Sequence, residues 1–189
     1  MTDWNAPISA VLFDRDGTLV QDVPYNGDPA RVQLMPHAVT AVSMLRAAGV
    51  RLGVVSNQSG IGRGLITPRQ VESVNARVDE LVGGLEVWAY CPHTADDRCA
   101  CRKPAPGLVL QAAARLGVPP AETVVIGDIA ADLGAAAAAG ARAILVPTPV
   151  TRADEIVEAR VVARDLLGAA RLVLAARQRS ERSAEVTAP

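Results

Sequence analysis

The stretch that most constrains the fold is an apolar run, Ile8 to Phe13, that breaks abruptly into Asp14-Arg15-Asp16-Gly17-Thr18. β-Branched and aromatic residues ahead of a polar, glycine-containing turn predict a buried strand with a tight exit. Two carboxylates two residues apart at the carboxyl end of a strand can converge on one point. In an open parallel α/β sheet that end is where ligands bind. Asp also serves turns and helix caps, so the motif needs support from the rest of the chain.

That support starts with the alternation of elements. Helices are expected over Pro36 to Gly49, from Thr67-Pro68 to about Val82, over Gly107 to Leu116 and over Ala130 to Ala139. Thr67 would be an N-cap with Pro68 at the first helical position, and Gly49, Gly117 and Gly140 would be C-terminal stops. Apolar strands are expected at Val50 to Val55, Leu85 to Tyr90, Thr123 to Ile126 and Ala143 to Val146. One long helix follows, from Ala153 to about Arg177, and then a polar stretch. This order predicts an α/β fold, a doubly wound, mainly parallel Rossmann-like sheet with helices on both faces. Loops, helices and strands fill the intervals from Asp16 to Ser56 and from Ser56 to Lys103, leaving no room for an inserted cap domain. Residues 1–178 are expected to be a single domain and 179–189 a flexible tail.

Composition narrows the partners. Hydrophobic residues are 50% of the chain and aromatics only 3%, so the core must be Val, Leu, Ile and Ala. A net charge of -1 gives no electrostatic case for nucleic acid or a membrane surface. Neither an apolar span of the roughly 18 residues that a membrane helix needs nor a basic-then-apolar leader is visible, and the expectation is a cytoplasmic protein. A single Lys, Lys103, stands among 19 basic residues. Because a compact ammonium differs from a planar guanidinium fork, that position invites a specific role.

Four strand ends or following loops carry polar groups: Asp14 and Asp16, then Ser56, then Lys103, then Asp128 with Asp132. In a doubly wound sheet they meet in one crevice. Carboxylates suit Mg²⁺, a hard cation that bridges protein to phosphate. A hydroxyl and an ammonium stabilise phosphoryl oxygens, and a carboxylate can attack phosphorus. The set matches metal-assisted phosphoryl transfer.

A second constellation is independent of the first. All three cysteines and one of the two histidines fall in one loop, as Cys91-x-His93, then Cys99-x-Cys101. Three Cys and one His form a closed tetrahedral Zn²⁺ set with no open position, hence a structural site. An odd cysteine count argues against a disulfide framework. The other histidine, His37, sits at a helix start and reads as a surface or capping residue.

These motifs resemble the haloacid dehalogenase (HAD) superfamily of phosphatases. Asp14-Arg15-Asp16-Gly17-Thr18, Ser56, Lys103 and Gly127-Asp128-x-x-x-Asp132 look like its four motifs. Ser56-Asn57-Gln58-Ser59-Gly60 and the Cys91–Cys101 loop with Arg102-Lys103-Pro104 resemble its capless subgroup, which contains heptose-bisphosphate and histidinol-phosphate phosphatases. The resemblance implies that Asp14 is the nucleophile and that Asp16 protonates the leaving alcohol, then activates water. It implies that Mg²⁺ is held by Asp14, the Asp16 backbone carbonyl and Asp128, that Ser56 and Lys103 clamp the phosphoryl group, and that Asp132 supports them. It implies substrate contacts at Asp22, Tyr25, Asn57, Gln58, Ser59 and Arg102, whereas Arg63 reads as a solvated loop residue.

The implied substrate is a small phosphorylated metabolite, D-glycero-D-manno-heptose 1,7-bisphosphate or, alternatively, histidinol phosphate or another sugar phosphate, acted on by a monomer. Two departures bear on that choice. Ile129 follows Asp128 where the subgroup carries a cation, and the five-residue spacer between His93 and Cys99 is short for the heptose type. A non-catalytic zinc-containing binding protein is the alternative of a different class, and the intact Asp14, Asp16, Lys103 and Asp128 argue against it.

Overall fold

The computed structural model describes residue 4 and residues 6–187, with side chains described up to residue 183. Five parallel strands form one sheet: β1 (Ala10–Phe13), β2 (Arg51–Asn57), β3 (Val87–Cys91), β4 (Thr123–Gly127) and β5 (Arg142–Leu145). Their spatial order is β3-β2-β1-β4-β5. Phe13 is in register with Val54 of β2 on one side and with Ile126 of β4 on the other. The order reverses direction at β1, so the crevice expected at such a switch point opens beyond Phe13.

The central strands β1 and β4 bury both faces, which is why β1 reads as an unbroken apolar run rather than an alternating one. Val11 and Phe13 face a core that also takes Ala38, Val42 and Leu45 from α1 (Ala38–Ala47), Val78 and Val82 from α2 (Pro68–Val82), and Ala170 and Val173 from α6 (Leu166–Thr187). Ala10 and Leu12 face a second core built from Leu108, Val109 and Ala112 of α3 (Gly107–Leu116) and Ala135 and Ala136 of α4 (Ala130–Ala139). The sheet is therefore covered on both faces. Among the described residues no extra domain is inserted between β1 and β2 or between β2 and β3, and no helix is long and apolar enough to cross a membrane.

Local chemistry accounts for most helix boundaries. Thr67 and Gln70 form a reciprocal capping box at the start of α2, with Pro68 at its first position. Gly117 and Gly140 end α3 and α4 in left-handed backbone, at φ 65° and 76°. Exposed His37 takes the position ahead of α1 with φ 67° and no side-chain cap. The expected single helix from Ala153 to Arg177 is corrected. The structure breaks it into α5 (Ala153–Glu158) and α6, and α6 continues to Thr187, past Ser180. Between them Val162 pairs with Leu145, through Leu145 N–H to Val161 C=O at 2.9 Å and Ala163 N–H to Leu145 C=O at 2.8 Å. The β-branched Val161-Val162 pair has weak helix propensity, and the open edge of β5 offers it ladder hydrogen bonds instead.

Candidate active site

A crevice of about 360 Å³ opens at the carboxyl end of the sheet. Asp14, Asp16, Asp22, Tyr25, Ser56, Asn57, Gln58, Ser59, Lys103 and Asp128 all line it, so the sequence-expected residues from four strand ends do meet. Two glycines let the carboxylates crowd together. Gly17 has φ 85°, and a Cβ there would lie 2.3 Å from Asp128 Oδ2. A Cβ on Gly127 would lie 2.3 Å from the Asp132 carboxylate carbon. Only glycine meets both the backbone and the space requirement at position 17.

At the floor, Lys103 Nζ donates to Asp14 Oδ1 at 2.6 Å and to the Val55 carbonyl at 2.8 Å. It also lies 2.6 Å from Asp132 Oδ1. Burial alone would lower the ammonium's pKa, but the charges of Asp132 and Asp14 win and hold it above its ordinary value. Burial raises the Asp14 carboxyl well above the usual range, with Lys103 opposing and Asp132 and Asp16 adding. Asp14 Oδ2 accepts no hydrogen bond among the described residues. Asp128 is pushed up to about 7, by burial first and then by the Asp132 charge.

Asp16 sits in a different frame. The buried Arg15 guanidinium reaches its carboxylate through Nε at 3.1 and 3.2 Å and Nη2 at 3.0 Å. Gln58 Nε2 donates to Asp16 Oδ2 at 2.8 Å and to Ser56 Oγ at 2.7 Å, and Ser56 Oγ lies 3.5 Å from the same Asp16 oxygen. Arg15 is in turn anchored by Nη1 on Asn75 Oδ1, at 2.7 Å, from the buried stripe of α2.

The expected substrate contacts divide. Asp22, Tyr25 and Ser59 line the crevice, and Tyr25 is 47% exposed beside Gly60, whose Cβ would meet its ring at 2.8 Å. Burial, together with the Asp16 charge, raises the Asp22 carboxyl, with Arg15 opposing. Asn57 and Gln58 line it too, but their amides are engaged. Asn57 pinches the backbone of Lys103, with Nδ2 to its carbonyl at 3.1 Å and Oδ1 accepting its N–H at 3.0 Å. Arg102 is not brought in; its guanidinium donates to the His93 carbonyl at 3.3 Å. Arg63 is exposed and lies outside the lining. The sequence reading missed Arg15 and Asn75. A polar Asn on the otherwise Val-rich buried face of α2 was the available signal.

Four carboxylates, of Asp14, Asp16, Asp128 and Asp132, meet two cations, of Arg15 and Lys103. With Asp22 also on the crevice wall, negative charge is in formal excess, which suits a divalent cation, and oxygens of Asp14, Asp128 and Asp132 lie within 4.8 Å of one another.

Beside Lys103, the Cys91, His93, Cys99 and Cys101 side chains close into a second cluster. Cys91 Sγ is 3.5 Å from His93 Nδ1, 3.6 Å from Cys99 Sγ and 3.1 Å from Cys101 Sγ. Cys101 Sγ is 3.3 Å from His93 Nδ1 and 3.5 Å from Cys99 Sγ. A regular tetrahedron with edges of about 3.4 Å has its centre about 2.1 Å from each corner, the range of Zn–N and Zn–S bonds. The donor set and its spacing therefore fit zinc. Gly107 allows the loop to close on α3, since a Cβ there would lie 2.4 Å from the Ala100 carbonyl oxygen.

Comparison with known proteins agrees with this geometry. A family model described as HAD-hydrolase-like matches residues 100–169. The D-glycero-beta-D-manno-heptose-1,7-bisphosphate 7-phosphatase of Pseudomonas aeruginosa is 37% identical over 145 residues, 74% of this chain and 82% of that protein. Its Yersinia pestis counterpart is 35% identical over 162 residues, 78% of this chain and 86% of that one. Among solved structures, the D,D-heptose 1,7-bisphosphate phosphatase from B. bronchiseptica, complexed with magnesium and phosphate, matches at TM-score 0.79 and 30% identity over 89% of this chain and 99% of that one. Identity at this level, sustained across most of both partners and joined to the same fold, makes the chain a HAD-type phosphatase belonging to the family of the heptose-bisphosphate phosphatases.

Proposed function

We propose that the chain is a Mg²⁺-dependent phosphomonoesterase that removes the 7-phosphate of D-glycero-D-manno-heptose 1,7-bisphosphate through an aspartyl-phosphate on Asp14. The observation that carries the reading is Asp14, at the crevice floor, with one oxygen on Lys103 and the other accepting no hydrogen bond among the described residues. Asp14 attacks phosphorus and the bond from phosphorus to the sugar oxygen breaks. Asp16 gives that oxygen its proton. Asp16 then takes a proton from water, whose oxygen attacks the same phosphorus, releasing inorganic phosphate and restoring Asp14.

Ser56 Oγ and Lys103 Nζ hold the phosphoryl oxygens, and Asp132 keeps the ammonium in place. Asp14, Asp128 and the Asp16 backbone carbonyl would hold Mg²⁺, which supplies charge neutralisation for the phosphoryl oxygens. Cys91, His93, Cys99 and Cys101 would hold a structural Zn²⁺ that orders the loop carrying Lys103. On this reading residues 1–178 act as one catalytic domain, a monomer working on a small metabolite in the cytoplasm.

One observation favours a second reading. Arg15 and Lys103 are the cations lining the crevice, and both are engaged with carboxylates, while Ile129 presents an apolar, 38% exposed side chain. A substrate with one phosphate, histidinol phosphate or a sugar monophosphate, fits that lining. Measuring kcat/KM across a phosphometabolite panel with Mg²⁺ decides. The heptose bisphosphate should rank first, and Asp14→Asn should be inactive with unchanged folding and zinc content. An inactive parent across the panel, or an active Asp14→Asn, would overturn the proposal.

A further inference from the structure

Asp16 has to turn one carboxylate oxygen toward a leaving group and later toward water, so its orientation matters as much as its presence. Gln58 and Arg15, both on the crevice lining, hold that carboxylate, and Arg15 is anchored in turn from outside the crevice. Arg15 is 1% exposed and grips Asp16 through Nε and Nη2. A guanidinium fork placed edge-on to a carboxylate sets its plane. The fork itself could still swing about its own side chain, and the contact that stops it is Nη1 on Asn75 Oδ1 at 2.7 Å.

Asn75 is 8% exposed, one of the buried set Val71, Val74, Asn75, Val78 and Val82 of α2. It does not line the crevice; it lines a separate outer groove with Glu72, Asp79, Trp88 and Tyr90. An apolar residue would serve packing at that place on the helix at least as well. Asparagine there supplies the acceptor for Arg15 Nη1, the guanidinium nitrogen that Asp16 does not engage.

We propose that Asn75 is a positioning residue for proton transfer, acting through Arg15 to aim the Asp16 carboxylate. The inference rests on the phosphatase reading above, in which Asp16 is the acid and base. It predicts a dependence on the leaving group. A sugar alkoxide needs its proton as it departs, whereas p-nitrophenolate leaves well without one. Misaimed by a fraction of an ångström to one ångström, a proton donor can lose up to about 100-fold.

The test measures leaving-group release in a single turnover, with enzyme in excess and Mg²⁺ present, for an alkyl sugar phosphate and for p-nitrophenyl phosphate. Asn75→Leu, of similar shape but with no acceptor, should slow alcohol release by about 10- to 100-fold and p-nitrophenolate release by less than about threefold. Asn75→Asp, which keeps the acceptor, should retain alcohol release within about fivefold of the parent. Asn75→Val, which also lacks an acceptor, carries the same two-armed expectation if leucine is not accommodated. An equal loss with both substrates would show a merely structural role, and no loss with either would show that Asn75 is idle; each overturns the proposal. A parent inactive toward both substrates would overturn the phosphatase reading and this inference with it, an outcome distinct from failure of the variants alone.

Discussion

Replacing Asp132 by Asn removes a charge from a fully enclosed ion pair at the base of the site. Lys103 and Asp132 side chains are 2% and 1% exposed and 2.6 Å apart. Two unit charges about 4 Å apart attract by about 4 kcal/mol at an effective dielectric of about 20. Deleting one member of a buried pair costs about 3–5 kcal/mol because the other is stranded. Asparagine keeps an oxygen for the Ile129 N–H, which Asp132 Oδ2 accepts at 3.3 Å, so the loss is chiefly the charge. For a chain of this size each kcal/mol moves Tm by roughly 2–4 °C, so Tm should fall by about 6–20 °C.

The assay is thermal and urea unfolding of the parent, Asp132→Asn, Lys103→Met and the double variant, all zinc-loaded and Mg²⁺-free. The double-mutant cycle should return a coupling of at least about 2 kcal/mol. Asp14 is the reason the coupling falls short of the full pair energy, since it shares the ammonium at 2.6 Å. Additivity within about 0.5 kcal/mol would refute the reasoning and assign the ammonium's burial to Asp14 alone.

Three further outcomes are expected. Asp128 in the metal-free protein is raised from 3.8 to about 7, so the folded state binds its proton more tightly than the unfolded state; stability falls as pH rises from about 4 through 7, and Mg²⁺ should raise Tm more at pH 8 than at pH 5.5, whereas an equal rise at both would contradict this. One zinc per chain should be found by metal analysis, and Cys101→Ser should lose it together with several degrees of Tm and most turnover, since the loop carries Lys103; full zinc retention would count against the four-residue set. Ile129→Lys should raise kcat/KM for a bisphosphate about tenfold over the matching monophosphate, an effect that shrinks with salt; no change in that ratio would show that position 129 does not face the distal group.

The sheet and its polar ends were legible because each is written locally. α3 and α4 follow the sequence reading to the residue, since Gly117 and Gly140 supply left-handed stops. The start of α2 is equally local, in Thr67, Pro68 and Gln70. The break between α5 and α6 was not legible, because it depends on Val161 and Val162 finding the edge of β5, a tertiary pairing that overrides helical periodicity. In the site, residue types at strand ends pointed to the meeting of Asp14, Ser56, Lys103 and Asp128. The engagement of Asn57 with the Lys103 backbone, the turning of Arg102 to His93 and the anchoring of Arg15 by Asn75 are contacts across the chain that spacing does not encode.

The central claim is that Asp14 carries the phosphoryl group in transit. The measurement that tests it most directly is borohydride reduction of the enzyme during turnover of a substrate with Mg²⁺, followed by peptide mass spectrometry. An acyl phosphate is reduced to the alcohol while a free carboxylate is not. The account predicts reduction at Asp14, absent without substrate and absent in Asp14→Asn. Turnover with Asp14 unreduced, or with reduction at Asp16 or Asp128 instead, would contradict it.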